Sequence, residues 1–190
     1  MHSKALHLSV FDDRYRTLLT GVFDDLGLAG NIHKYGKSCF VMAGLVAKIL
    51  ESEGIESRIH ACYAVVRRDE QLFTLGFRDA IAGSDQLDGH VVCVAEQRIL
   101  VDFGLGNVRR YGWPDFWHAI ACEIQPGKTF PVSLVLSESD SITWFDGSKY
   151  HGVNAIMDEL RPVIESAFLR YRDMARTAAQ SDGTSGSATH

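Results

Sequence analysis

The run from Gly89 to Gly104 constrains the fold more than any other stretch of this chain. Two apolar segments, His90-Val91-Val92-Cys93-Val94 and Arg98-Ile99-Leu100-Val101-Asp102-Phe103, flank a short link, the pattern of a β-hairpin. An aspartate interrupts the second segment. A carboxylate carried into a sheet needs a donor or an opposite charge to offset its desolvation. With an odd link, Ala95-Glu96-Gln97 centred on Glu96, residue 90 pairs with residue 102 and both side chains share one face. His90 is then the partner that Asp102 requires. An even link would put the two on opposite faces and separate them.

Upstream lies Tyr35-Gly36-Lys37-Ser38-Cys39-Phe40. Ser38 is a good N-cap, and the apolar stripe Met42, Leu45, Val46, Ile49 and Leu50 begins just after it. Cys39 therefore sits at the start of a predicted helix, where unpaired N–H groups and the positive dipole end favour a thiolate. Gly36 lets the chain turn before the helix, and Lys37 adds a positive charge nearby. A thiol followed in the chain by a histidine and an aspartate is the set needed for covalent acyl transfer. The thiolate attacks, the imidazole moves the proton and the carboxylate orients the imidazole. A buried thiol acting as a small hydrophobe is the plain alternative for Cys39.

The remaining pattern is helices, then strands, then a helix. Residues 12–28 form a predicted helix with Tyr15, Leu18, Leu19, Val22, Phe23 and Leu26 on one stripe, and a polar loop, Asn31 to Lys37, leads to the Cys39 helix. Strands are expected over Ile55–Val66, Gln71–Phe77, Val132–Leu136 and Ile142–Phe145, with a turn-rich loop over Asp79–Gly89. Trp113–Ile120 suggests a short helix after Pro114. A last helix is expected from Val153 to Ala178, with a kink or break at Pro162. The fold class is α+β, in one domain over residues 1–180 followed by a polar, disordered tail over 181–190.

On these residues the chain resembles the papain-like cysteine proteinase superfamily, in its transglutaminase-like and arylamine N-acetyltransferase-like branches. The order of Cys39, Leu50-Glu51-Ser52-Glu53-Gly54-Ile55-Glu56-Ser57-Arg58, His90 and Asp102 is similar to that of transglutaminase-like domains. Leu100-Val101-Asp102-Phe103-Gly104-Leu105-Gly106 looks like the Asp-x-Gly-x-Gly turn of the acetyltransferases. The resemblance covers residues 30 to 110. It implies a papain-like fold with the nucleophile helix packed on an antiparallel sheet, and a Cys39-His90-Asp102 triad acting through a thioester. The implied enzyme is a thiol hydrolase, a peptidase or an acyl transferase, and its substrate a peptide, an amide or an acyl thioester. In such sites the nucleophile's N–H and a donor from the preceding loop hold the oxyanion. His33 has the offset of the papain glutamine, with Asn31 and Tyr35 as rival donors. A non-catalytic member of the same fold that binds a peptide or a protein is the alternative.

Other classes are disfavoured. The net charge is −5 and no basic block stands out, so nucleic-acid binding is not expected. No stretch approaches the apolar length of a membrane span, and the N-terminal residues lack the apolar core of a secretion signal. Four cysteines without close pairing read as reduced thiols in a cytoplasmic protein. With no C-x-x-C, no H-E-x-x-H and no close histidine pair, neither a metal nor a cofactor is expected. Trp113, Phe116 and Trp117 are candidates for a cleft wall or for plain packing, and Trp144, Tyr150 and His151 for reaching the site. The last helix, with Arg161, Arg170, Arg172 and Arg176, is a candidate homodimer surface.

Overall fold

The computed structural model describes residues 6–36, 38–76, 89–148 and 152–184. Lys37, the 79–88 part of the expected loop, Tyr150, His151 and residues 185–190 lie outside them. In chain order the elements are β1 (Leu6–Ser9), α1 (Asp13–Leu28), α2 (Asn31–Tyr35), α3 (Cys39–Ser52), β2 (Ser57–Arg68) and β3 (Gln71–Leu75). There follow β4 (His90–Ala95), β5 (Ile99–Asp102), α4 (Gly106–Tyr111), β6 (Ala119–Glu123), β7 (Val132–Val135), β8 (Asp140–Asp146) and α5 (Val153–Thr184). The protein is α+β. Its sheet has the order β1-β6-β5-β4-β2-β8-β7, with β3 also paired to β2, and every pairing is antiparallel except β1 with β6.

The central strands show why the sheet holds. Every residue of β4 and β5 is buried, because helices cover one face and the curled sheet encloses the other. On the helical face Cys93, Ala95, Ile99 and Val101 pack with Leu19, Val22 and Leu26 of α1, with Leu45 and Ile49 of α3 and with Phe168 of α5. On the enclosed face Val92, Val94 and Leu100 meet Trp144, Phe116, Leu105 and Ile142. Asp102 and His90 have the parity of Leu100 and Val92, so both belong to the enclosed face.

Helix α3 begins at Cys39 as expected. Ser38 caps it, its Oγ accepting from the Val41 N–H at 3.4 Å. The helix is not merely amphipathic, for Phe40, Val41, Ala43, Gly44 and Ala47 are buried along with the predicted stripe. The reason is α5, which covers the side that a lone sheet-packed helix would leave wet. The two helices approach closely at Gly44, where an added Cβ would lie 2.6 Å from Ile164 Cδ1.

Four expectations on local structure are corrected. The hairpin is centred on Gln97, not Glu96: Ala95 pairs with Ile99 and Cys93 with Val101. Its link is Glu96-Gln97-Arg98, with Glu96 and Gln97 at φ 46° and 57° and the Arg98 N–H bonded to the Ala95 carbonyl at 3.0 Å. The link is still odd, so His90 and Asp102 keep a common face but stand on a diagonal rather than directly opposite. The expected loop after α1 contains the short helix α2. The expected helix over Trp113–Ile120 is a turn followed by β6, since residues 119–122 are buried at every position and pair on both edges. Finally, α5 runs through Pro162 without a break and continues to Thr184, past Ala178 and into the expected tail.

Candidate active site

Asp102 is a buried and fully anchored carboxylate. It is 1% exposed, and three donors converge on it: His90 Nε2 at 2.7 Å and Trp144 Nε1 at 2.8 Å on Oδ2, and the Gly104 N–H at 3.0 Å on Oδ1. Such a set offsets the cost of burying a carboxylate. Since the carboxylate only accepts, Nε2 of His90 carries the proton of that bond, which leaves Nδ1 as the ring's second functional atom. His90 is 2% exposed and opens β4, where it pairs with Cys62 of β2 at the end of the strand.

Cys39 approaches from the helical side at that same strand end. It is half-buried, packed beside Phe40, Ala43 and Val91, and its Sγ lies 4.0 Å from the Gly89 carbonyl oxygen. The sulfur is near enough to the His90 ring to act on its charge. Burial works against the imidazolium of His90, but the Asp102 carboxylate and then the Cys39 sulfur outweigh it, and the His90 pKa is pushed up to about 10. The three residues picked from the sequence therefore meet in one place. Of the four cysteines, Cys39 alone has solvent access; Cys62, Cys93 and Cys122 are buried, and burial pushes each thiol up, Cys93 and Cys122 to about 12.

The end of α3 and the turn after β5 are fitted to each other. A Cβ on Gly104 would stand 2.6 Å from Cys39 Cα and 2.7 Å from its Cβ, so only glycine admits this approach. Two residues on, the Gly106 N–H donates to the Gly36 carbonyl at 2.9 Å. The Asp102 turn is thus tied to the chain just before the thiol and packed against Cys39 itself. At the helix start Ser38 takes the Val41 N–H with its Oγ and the Met42 N–H with its carbonyl, and Cys39 and Phe40 lie in the first turn, whose N–H groups have no acceptor within the helix.

The three candidate oxyanion donors are not gathered at the thiol. Asn31 is fully buried and its Nδ2 donates to the Ala167 carbonyl of α5 at 3.4 Å. The Tyr35 hydroxyl accepts from Arg170 Nη2 at 2.8 Å, with the guanidinium also over its ring. His33 lines a cavity of about 510 Å³, together with Arg109, Arg110 and His118. Tertiary contact with α5 has claimed the first two, and a loop reading could not foresee it because α2 turns them toward that helix.

Trp144 is the functional residue whose role the sequence left open. It stands on β8, two strands beyond β4, and reaches Asp102 because the sheet curls. The alternation of Ile142 and Trp144 in a strand is the signal that it points inward. Phe116 is wholly buried in the enclosed core, and Trp113 and Trp117 pack against it, the plain-packing reading of the three. Among the described residues no group of histidine, cysteine and carboxylate side chains is arranged to hold a metal, and no helix is long and apolar enough to cross a membrane.

Comparison with protein-family models, with curated proteins and with solved structures finds no match to this chain.

Proposed function

We propose that this protein is a cysteine-dependent acyl-transfer enzyme, a thiol hydrolase or amide or acyl transferase with a papain-like, transglutaminase-like arrangement. The observation that carries the reading is the buried bond of 2.7 Å from His90 to Asp102, with a half-buried thiol at a helix start facing the same strand end. A histidine held protonated by a buried carboxylate favours thiolate in its neighbour, and the thiolate is the reactive form.

Cys39 Sγ adds to the carbonyl carbon of a peptide, amide or thioester, forming a C–S bond and moving the carbonyl π electrons onto oxygen. The N–H groups of the first turn of α3 stabilise that oxyanion. Collapse expels the leaving amine or thiol, which takes its proton from His90 Nδ1, and leaves a thioester on Cys39. Water or an amine then attacks, His90 accepts its proton, and breakage of the C–S bond returns the thiolate. Asp102 keeps Nε2 in one orientation throughout, and Trp144 and Gly104 fix Asp102.

The test is carbamidomethylation at pH 6.5 followed by peptide mapping, alongside profiling with amide, thioester and acyl-donor probes. The reading expects rapid, selective modification of Cys39, at least tenfold slower in His90→Ala, and probe turnover abolished in Cys39→Ala. Slow modification that His90→Ala leaves unchanged, with no probe forming a Cys39 adduct, would refute it in favour of a non-catalytic binding module.

A further inference from the structure

A cavity with a basic lining lies between α2, the turn after β5 and α4. Its volume of about 510 Å³ falls within the range of small-molecule sites. Arg109 and Arg110 of α4, His33 of α2 and His118 supply its polar lining, and Ile32 and Pro114 much of the apolar surface. Among the described residues no aspartate or glutamate lines it, although the chain as a whole carries a net charge of −5. Asp115 acts on the charge of Arg109, and its carboxylate is bonded to Arg68 at 2.7 Å. Arg109 is held in place by an Nη1 bond to the Phe116 carbonyl, which leaves its Nε and Nη2 for other partners.

The cavity's position matters as much as its charge. Gly36 and Gly106 both line it, and the bond between them ties the chain entering α3 to the turn leaving Asp102. A molecule seated there touches the two segments that fix the thiol and the carboxylate. We infer that this cavity binds an organic anion, a carboxylate or phosphate carried on an apolar body. Resting on the acyl-transfer reading, we infer further that the bound anion is the charged end of the substrate. The two arginines and two histidines hold the anionic group, and Ile32 and Pro114 hold the apolar body.

Calorimetric titration with benzoate and phenyl phosphate, against the neutral benzamide, tests the binding. Both anions are expected to saturate one site in competition, to bind at least tenfold more tightly than benzamide, and to weaken with added salt. Arg110→Glu is expected to cost about tenfold or more in affinity, and because Arg110 is exposed the variant keeps its fold. Arg109→Lys, which keeps a charge but loses the planar fork, is expected to weaken both anions as well. No saturable binding by folded wild type, equal binding of benzamide, or unchanged affinity in both variants would overturn the site. Cys39→Ser separates the two readings: anion binding there without any Cys39 chemistry in wild type sinks the enzyme alone. Cys39 chemistry without anion binding sinks the cavity alone. If the anions bind yet leave the rate of Cys39 alkylation unchanged, the cavity is not the substrate's.

Discussion

Substituting alanine for Gly104 is the sharpest probe of how the thiol is held. The new methyl would start 2.6 Å from Cys39 Cα and 2.7 Å from Cys39 Cβ, against 3.4 Å for the near edge of ordinary contact. The Asp102 turn and the start of α3 must therefore separate by about 0.8 Å, and neither is free to yield. The turn is pinned by the Gly104 N–H on Asp102 and the Gly106 N–H on Gly36; the helix is buried from Phe40 to Ala47. Overpacking of this kind costs about 1–3 kcal/mol, which lowers the melting temperature by about 3–9 °C at about 3 °C per kcal/mol. A displacement near 1 Å between reacting groups costs about a hundredfold in rate, so Cys39-dependent turnover is expected to fall about ten- to a hundredfold. Thermal unfolding and the second-order rate of Cys39 alkylation measure the two effects. Gly21→Ala is the control. That glycine lies in α1 with nothing within 4 Å of a Cβ, and alanine there is expected to stabilise by up to about 1 kcal/mol. A Gly104→Ala protein that melts within a degree of wild type and labels Cys39 at the wild-type rate would refute the close approach.

Other consequences are open to measurement. Trp144→Phe removes a donor from a buried carboxylate and leaves a gap in the enclosed core, so a loss of about 3–5 kcal/mol in chemical denaturation is expected; a loss under 1 kcal/mol would mean Asp102 does not depend on it. Because the folded pKa of His90 is raised to about 10, its contribution to stability is complete below its unfolded value of about 6.5 and is lost as pH climbs from there toward 10. Wild type should therefore lose stability across that window relative to His90→Gln; parallel profiles would contradict the shift. Cys62, Cys93 and Cys122 should stay unmodified by iodoacetamide in native protein at pH 8 and react on unfolding, as peptide mapping can show.

Much of the candidate site was legible because its signals are local. A cap at Ser38, an apolar run after it, and a histidine and an aspartate of equal parity in one hairpin are all short-range patterns, and the α+β class follows from element order. Register was less legible: the positive φ values at Glu96 and Gln97 shift the hairpin by one residue at its centre, and neither residue type advertises that conformation. What could not be read was long-range. Asn31 and Tyr35 turn toward α5 because of contacts more than 130 residues away in the chain. The edge strand β1 is only four half-buried residues, and it exists because β6 offers a parallel partner. The second buried side of α3 likewise needs α5 to be in place.

The convergence of donors on Asp102 also sets an order of events. Its own turn supplies one donor at once and the neighbouring strand β4 a second, but the indole comes from β8, 42 residues later and across two intervening strands. The carboxylate thus has its full set of partners only after the far side of the sheet has been made and folded over. A chain halted before residue 144 holds the thiol, the histidine and the aspartate, yet leaves that aspartate short of a partner. Pairing between distant segments forms late, since loop closure comes before its reward. Any chemistry at Cys39 is in this sense timed by the sheet, and reactivity at that thiol during refolding is a clock for its last step.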